Sequence, residues 1–264
     1  MGDKKINIFI MIDNSHSYSY KYIDGLKLCY IDMIYILTLE NSNRLSNINN
    51  RIFDYNITIQ INKGYKNCKK KLYKQTSIYD INDAFYNCFL HATNMNYKNI
   101  MILEDDFIFD NKINPKDHIV ILNEIGGFIK NNKYDIYHLG PIMHFSIPYT
   151  LKHHRCLFMQ SAHSCIYSIN YMKYYIKKYN TLTIRNDMLW NDINIIKYKY
   201  YRPICYQLFP ITENQKYWIN KFYKYSIKIF KLDKYYFPGY IIFNIISYII
   251  IIFIIFIFHI INNI

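Results

Sequence analysis

The sequence holds six cysteines, Cys29, Cys68, Cys88, Cys156, Cys165 and Cys205, but no C-x-x-C pair and no short regular spacing among them. That excludes a zinc ribbon and a disulfide framework, and it suits a reducing compartment. Glycine is scarce, at 7 in 264 residues, and no segment repeats along the chain. A signal peptide is missing too: the apolar run from Ile6 to Ile12 is too short and is bracketed by Asp3 and Asp13, so it reads as a first strand. Gly2 invites myristoylation, yet Ile6 stands where that motif needs Ser or Thr. The sequon Asn56-Ile57-Thr58 falls inside a strand-like run and means little in an Asn-rich chain.

Negative charge is also short. Lys+Arg number 32 against 19 Asp+Glu, a formal net charge of +13, which favours anionic partners: nucleic acid, acidic lipid or phosphorylated small molecules. Net charge does not separate these three. Lysines are spread along the whole chain, with one compact run at "KNCKKKLYK" (66–74), and a solvated basic surface accounts for most of them. Tyr (30) and Phe (17) are abundant, a bias that A/T-rich codons share in producing. The length suits one α/β domain with a core that needs no covalent staples.

The C-terminal region has no charge at all over "YIIFNIISYIIIIFIIFIFHII" (240–261), 22 residues, which is about what a helix needs to cross ~30 Å of hydrocarbon. The expected division is therefore a domain over 1–217, a basic amphipathic juxtamembrane segment over 218–237 and a transmembrane helix over 238–261. Lys221, Lys224, Lys228, Lys231 and Lys234 precede the apolar run, so the positive-inside rule keeps the domain in the cytosol, with post-translational insertion as a tail anchor. The lysine spacing sets Phe222, Tyr225, Ile229 and Leu232 opposite, as in a helix lying on an anionic bilayer surface.

Between the termini, short apolar runs alternate with helical periods, an α/β pattern. Strands are expected at 6–12, 33–39, 56–61, 99–104, 135–140, 163–169 and 203–209. The clearest helix is 80–96, where Ile81, Ala84, Phe85, Cys88, Phe89, Ala92 and Met95 share one face and Asp80 is the expected N-cap. It leads into "NIMILEDDFIFD" (99–110), where Glu104, Asp105 and Asp106 crowd the C-terminal end of a strand. Adjacent carboxylates repel and raise one another's pKa, so a cation belongs nearby. In open α/β sheets that edge binds ligands, and clustered acids there suit a hard divalent cation such as Mg²⁺ or Mn²⁺ bridging nucleotide phosphates. Taken alone, the same acids also suit a polar, lysine-paired turn.

The order of segments resembles glycosyltransferase family 25, the lipopolysaccharide-type glycosyltransferases. It is carried by "MIYILTLENSNRL" (33–45), "ILEDD" (102–106), "YDIYHLG" (134–140), "SAHSCIYSINYMKYYI" (161–176) and the aspartate of "IRNDMLWND". Segments from "NKGYKNC" to "CYQLFPITENQ" also look like glycosyltransferase-like proteins of large DNA viruses. The helix before the acid strand carries "IYDINDAFYNCF" in place of the family's Ser-His pair.

The resemblance implies a GT-A-like, Rossmann-like nucleotide-sugar-binding fold and an inverting transfer from a nucleotide-sugar donor, usually a UDP-sugar, to a hydroxyl on a glycan, protein or lipid. By position, Asp106 would be the main ligand of Mn²⁺ or Mg²⁺, and Asp105 or Glu104 would hold the ribose or a metal-bound water. His163 would be a further ligand to metal or diphosphate. Thr38, Glu40, Arg44 and Gly140 fall on the donor side, and Arg155 and Arg185 join Arg44 as candidates for charge stabilisation. The attacking hydroxyl needs a general base: Asp187 first, Asp192 second, though either also suits a helix cap. An inactive glycan-binding module is the rival reading. A divalent-metal nuclease is the other, but no second acidic motif provides a two-metal site, and no specific nucleic-acid partner is expected.

Overall fold

The structure is a computed structural model and describes residues 17–44, 55–181, 186–209 and 221–262. The expected strand at 6–12 and Arg185 lie outside the described residues, as do the side chains of Asp187 and of 221–223.

Mixed α/β architecture is confirmed. Nine strands form one sheet in the order β1 (Tyr18–Ile23), β3 (Ile57–Asn62), β2 (Met33–Leu39), β4 (Asn99–Glu104), β9 (Ser164–Ser168), β6 (Ile136–His138), β10 (Lys197–Tyr200), β8 (His153–Met159) and β7 (His144–Pro148). Strands β3, β2 and β4 are mutually parallel, and β9 runs antiparallel between β4 and β6. A two-stranded ribbon pairs β5 (Phe107–Phe109) with β11 (Cys205–Gln207). The runs at 33–39 and 99–104 are legible as strands because both faces are covered, which makes them nearly continuously apolar, while 57–62 alternates Ile with Thr, Gln and Asn. By contrast β1, β7, β8 and β10 each carry Lys, His or Arg and were not anticipated. The 203–209 run is a strand, but in the ribbon rather than the sheet.

Period-two alternation sends Ile34, Ile36, Met101, Leu103 and Ile166 to one face, against helix α2 (Pro115–Asn131). Met33, Tyr35, Leu37, Ile102 and Tyr167 go to the other, against α1 (Ser77–Asn94) and α3 (Ile169–Lys178). The expected face of α1 is buried through Ala84, Phe85, Cys88, Phe89 and Ala92, but the helix starts earlier, with Thr76 at the N-cap. Asp80 is not the cap because a buried lysine takes it: Lys70 Nζ lies 2.7 Å from Asp80 Oδ1 and 3.5 Å from Asp83 Oδ2. Lys70 also donates to Tyr18 Oη at 2.8 Å and Asn62 Oδ1 at 2.6 Å. This network pins the basic loop after β3 onto the first turn of α1. All six cysteines are free, and Asn56 is buried, its side chain accepting from the Gly25 amide at 2.6 Å.

After a short helix α4 (Asn186–Leu189), the chain ends in α5 (Lys221–Phe230) and α6 (Tyr236–Asn262). Among the described residues α6 is the one helix long and apolar enough to cross a membrane, with a mean hydropathy of 3.1. Helix α5 departs from its expected amphipathic split. Ser226 and Ile227 face inward, and Leu232 just beyond the helix is also buried, while Tyr225 and Ile229 stay exposed beside Lys224 and Lys228. Ile227 and Leu232 join Ile142, Phe209 and Phe243 of α6 in one apolar cluster, so α5, the turn after it and the start of α6 pack together against Ile142 and Phe209.

Removing one partner of a buried ion pair leaves the other charge unpaired. Lys70→Ala is therefore expected to cost about 3–5 kcal/mol of stability, read as a lowered urea midpoint of the full chain in detergent. An unchanged midpoint would show that Asp80 and Asp83 do not depend on this cation.

Candidate functional site

Strand β2 is followed in the sheet by β3 on one side and β4 on the other, so the strand order reverses between β2 and β4. At such a switch point the connections diverge and leave a crevice beyond the strand ends. The acids of 104–106 stand in that crevice, at the end of β4, and the turn after β2 faces them.

Asp105 is the organised member. Its Oδ2 accepts from Thr38 Oγ1 at 2.9 Å and Ser42 Oγ at 2.7 Å, and its Oδ1 meets Arg44 Nη1 at 2.5 Å. Asp106 is different. Only 6% exposed, it accepts from Gln207 Nε2 at 3.1 Å through Oδ2, which is 4.0 Å from Arg44. Its Oδ1 is buried with no hydrogen-bond partner. Burial, then the Asp105 charge, push the Asp106 pKa up to about 7, against the pull of Arg44 and Gln207. A buried carboxylate oxygen without a donor is a vacancy for positive charge.

Thr38, Arg44, Asp105 and Asp106 are thus brought together as the sequence implied. Ser42 and Gln207 complete the group and were not anticipated. Ser42 could have been found from its place in the turn between Thr38 and Arg44. Gln207 could not, since it comes from a ribbon strand a hundred residues away. Glu104 is half-buried at the strand end, its amide donating to the His163 carbonyl at 2.9 Å. Glu40 is exposed on the turn after β2.

His163 is fully buried, with neither ring nitrogen hydrogen-bonded, and its ring lies 5.2 Å from that of His138. Burial drives its pKa down to about 3, opposed by the Cys205 backbone, which approaches the ring without hydrogen-bond geometry. His163 is therefore neutral, the form in which imidazole ligates. Among the described residues no three His, Cys, Asp or Glu side chains gather as a metal-holding group, so Glu104, Asp106 and His163 do not form a closed cage. A hard cation such as Mg²⁺ needs none, because one or two carboxylates plus phosphate oxygens and waters suffice. The orphaned Asp106 Oδ1 fits that pattern.

Gly140 has a packing reason. A Cβ there would lie 1.9 Å from the Cys205 carbonyl oxygen, so the chain after β6 meets β11 backbone to backbone. Arg155, on β8, lies over the Tyr198 ring at 5.2 Å, several strands from the acids. Asp192 is exposed in the turn into β10, at the sheet edge away from Glu104, and accepts from the Asn194 amide at 2.9 Å. That bond, with Tyr174 and Lys178, holds its pKa down. Asp187 belongs to α4, whose first amide, that of Asn186, donates to Asn82 Oδ1 in the first turns of α1 at 3.1 Å.

No family model and no curated protein matches the chain. Among solved structures it is similar to A197 from STIV (12% identity over 69% of this chain and 86% of that one, TM-score 0.42). It is also similar to a glycosyltransferase involved in glycosylation of the major capsid of PBCV-1 (11% identity, 62% and 72%, TM-score 0.34). A third similarity is to apo UDP-glucose pyrophosphorylase (9% identity, 66% and 75%, TM-score 0.38).

Between the ordinary carboxyl pKa of 3.8 and about 7, metal-free folded protein holds a proton on Asp106 that the unfolded chain has lost. Its contribution to stability therefore falls as pH rises through that window. Asp106→Asn is expected to flatten this part of the Tm against pH profile. A parallel profile would mean that Asp106 titrates normally.

Proposed function

We propose that the chain is a metal-dependent glycosyltransferase, moving a sugar from a nucleotide-sugar donor, a UDP-sugar by resemblance, to a hydroxyl acceptor with inversion. The observation that carries this reading is the buried, unpaired Asp106 oxygen beside the Arg44–Asp105 pair at the switch point. A site that joins a cation-seeking carboxylate to a guanidinium suits a diphosphate, which needs both. The motif order across 33–192 supplies the sugar-transfer part.

In this reading Asp106 and Glu104 hold the cation, and His163 offers it or the diphosphate a neutral nitrogen. Arg44 lies within reach of the phosphates, while Thr38 and Ser42 keep Asp105 oriented to accept from the ribose. The bound divalent cation supplies charge stabilisation of the leaving diphosphate. Asp187 takes the acceptor's proton. It is preferred over Asp192 because α4 meets α1 near the ligand edge, whereas Asp192 is a weakened base committed to its own turn. Helix α6 anchors the enzyme in a membrane, and the lysines before it keep the domain cytosolic.

Incubating the full chain in detergent with Mn²⁺ and a panel of nucleotide sugars tests the class. Donor turnover is expected; nucleic-acid cleavage, or binding without turnover, would establish the nuclease or the inactive module. Asp106→Asn should abolish Mn²⁺-dependent nucleotide binding in calorimetry while leaving the fold intact. Asp187→Asn should lower turnover by a factor of roughly 10² with donor affinity unchanged, and that pattern in Asp192→Asn instead would move the base.

Topology has its own measurement. Protease added to sealed membranes without detergent should digest the domain, and a protected domain would reverse the orientation.

A further inference from the structure

Helix α6 serves both the domain and the membrane. Its first turn contains Pro238, where a missing amide is harmless. The next residue, Gly239, lies so close to the domain that a Cβ would meet the Phe209 ring at 2.8 Å. Phe243 packs its ring 5.2 Å from Phe209, and Tyr206 contacts Tyr236 and Tyr240 at 4.7 and 5.2 Å. Tyr236 Oη donates to Asn111 Oδ1 at 3.0 Å, and Ser247 is the last buried residue. Up to that point α6 is part of the fold.

The remainder, 248–262, is roughly 22 Å long at 1.5 Å per residue, short of the ~30 Å of a hydrocarbon core. The uncharged run that matches the core starts at Tyr240, inside the docked part. Inserting that run brings the headgroup layer level with Phe209, Phe243 and α5. The outer side of the docked turns is ready for this, since Ile241 and Ile245 are exposed.

Helix α5 and the turn after it have the matching chemistry. Tyr225 and Ile229 are 63% and 68% exposed, and Phe230, Tyr235 and Phe237 are also largely exposed. Lys224, Lys228, Lys231 and Lys234 stand exposed among them, and Asp233 is the one acid in 221–262. Aromatic and aliphatic side chains mixed with lysines suit the boundary between acyl chains and acidic headgroups, where each basic residue adds electrostatic attraction.

We infer that the domain does not hang from α6 but lies flush on an anionic bilayer, with α5 and the 231–235 turn seated among its headgroups. This rests on the reading that α6 inserts. Gln207, the partner of Asp106, is the residue next to Tyr206, which packs on α6.

The test uses the full chain in a Cys29→Ser, Cys68→Ser background with a fluorophore at Ile229→Cys, reconstituted into vesicles with about 30 mol% phosphatidylserine. Alkaline extraction first reports whether α6 is inserted. With α6 inserted, aqueous iodide should quench the probe at least about twofold less than in detergent, and lipid-borne nitroxide should quench it. Adding Lys224→Glu and Lys228→Glu should restore iodide access without releasing α6. A probe open to iodide while α6 resists extraction would overturn flush seating and leave the anchor standing. Extraction of α6 would overturn both. Shielding that persists in detergent and grows with protein concentration would give the face to a second copy of the chain and overturn the lipid assignment.

Discussion

The ion pair between Arg44 and Asp105 is the interaction around which the candidate site is arranged. Three carboxylates in succession at a strand end are unfavourable unless at least one is neutralised, and Arg44 neutralises Asp105. Thr38 and Ser42 add donors to the same carboxylate, so the turn after β2 is tied to the end of β4. With Asp105 committed in this way, Asp106 is left with one buried oxygen that no hydrogen-bond donor meets. Burial, and then the neighbouring Asp105 charge, raise its pKa.

The same edge of the sheet is held at a second place by a different solution to the same problem. Lys70 is buried and fully surrounded by acceptors, two of them carboxylates from the first turns of α1. There every carboxylate is met by donors: Asp83 also accepts from Tyr18 and Tyr179, and Asp80 from the Tyr65 amide. At 105–106 one oxygen, Asp106 Oδ1, is buried without a partner, and that is what distinguishes the two clusters. The buried ring nitrogens of His163 likewise have no hydrogen-bond partner.

The C-terminal helices pack against the element that completes this site. Strand β11 supplies Gln207 to Asp106 from one of its residues, and Tyr206, next to it, packs on α6. Truncation before α5 would expose Phe209 and Ile142 and loosen the strand that partners Asp106. The candidate site and the apolar helix α6 share a structural element, so a tail-less fragment is a different object from the full chain.

From residue types and their period alone, the α/β class, the central strands, the buried face of α1 and the apolar C-terminal run could be read, because each depends on local patterning that burial on one or two faces imposes. The crowded acids of 104–106 also drew attention to Asp105 and Asp106, and the family resemblance implied Thr38 and Arg44 beside them. Four edge and inner strands rich in Lys, His and Arg escaped that reading, because their pairing partners rather than their own composition make them strands. Only the tertiary structure decided that Gln207 meets Asp106, that Asp80 serves Lys70 instead of capping α1, that Gly140 is required by a carbonyl from β11, and that α6 begins inside the fold. Each of these depends on contact between segments distant in the chain, where sequence spacing carries no information and packing alone brings the partners within reach.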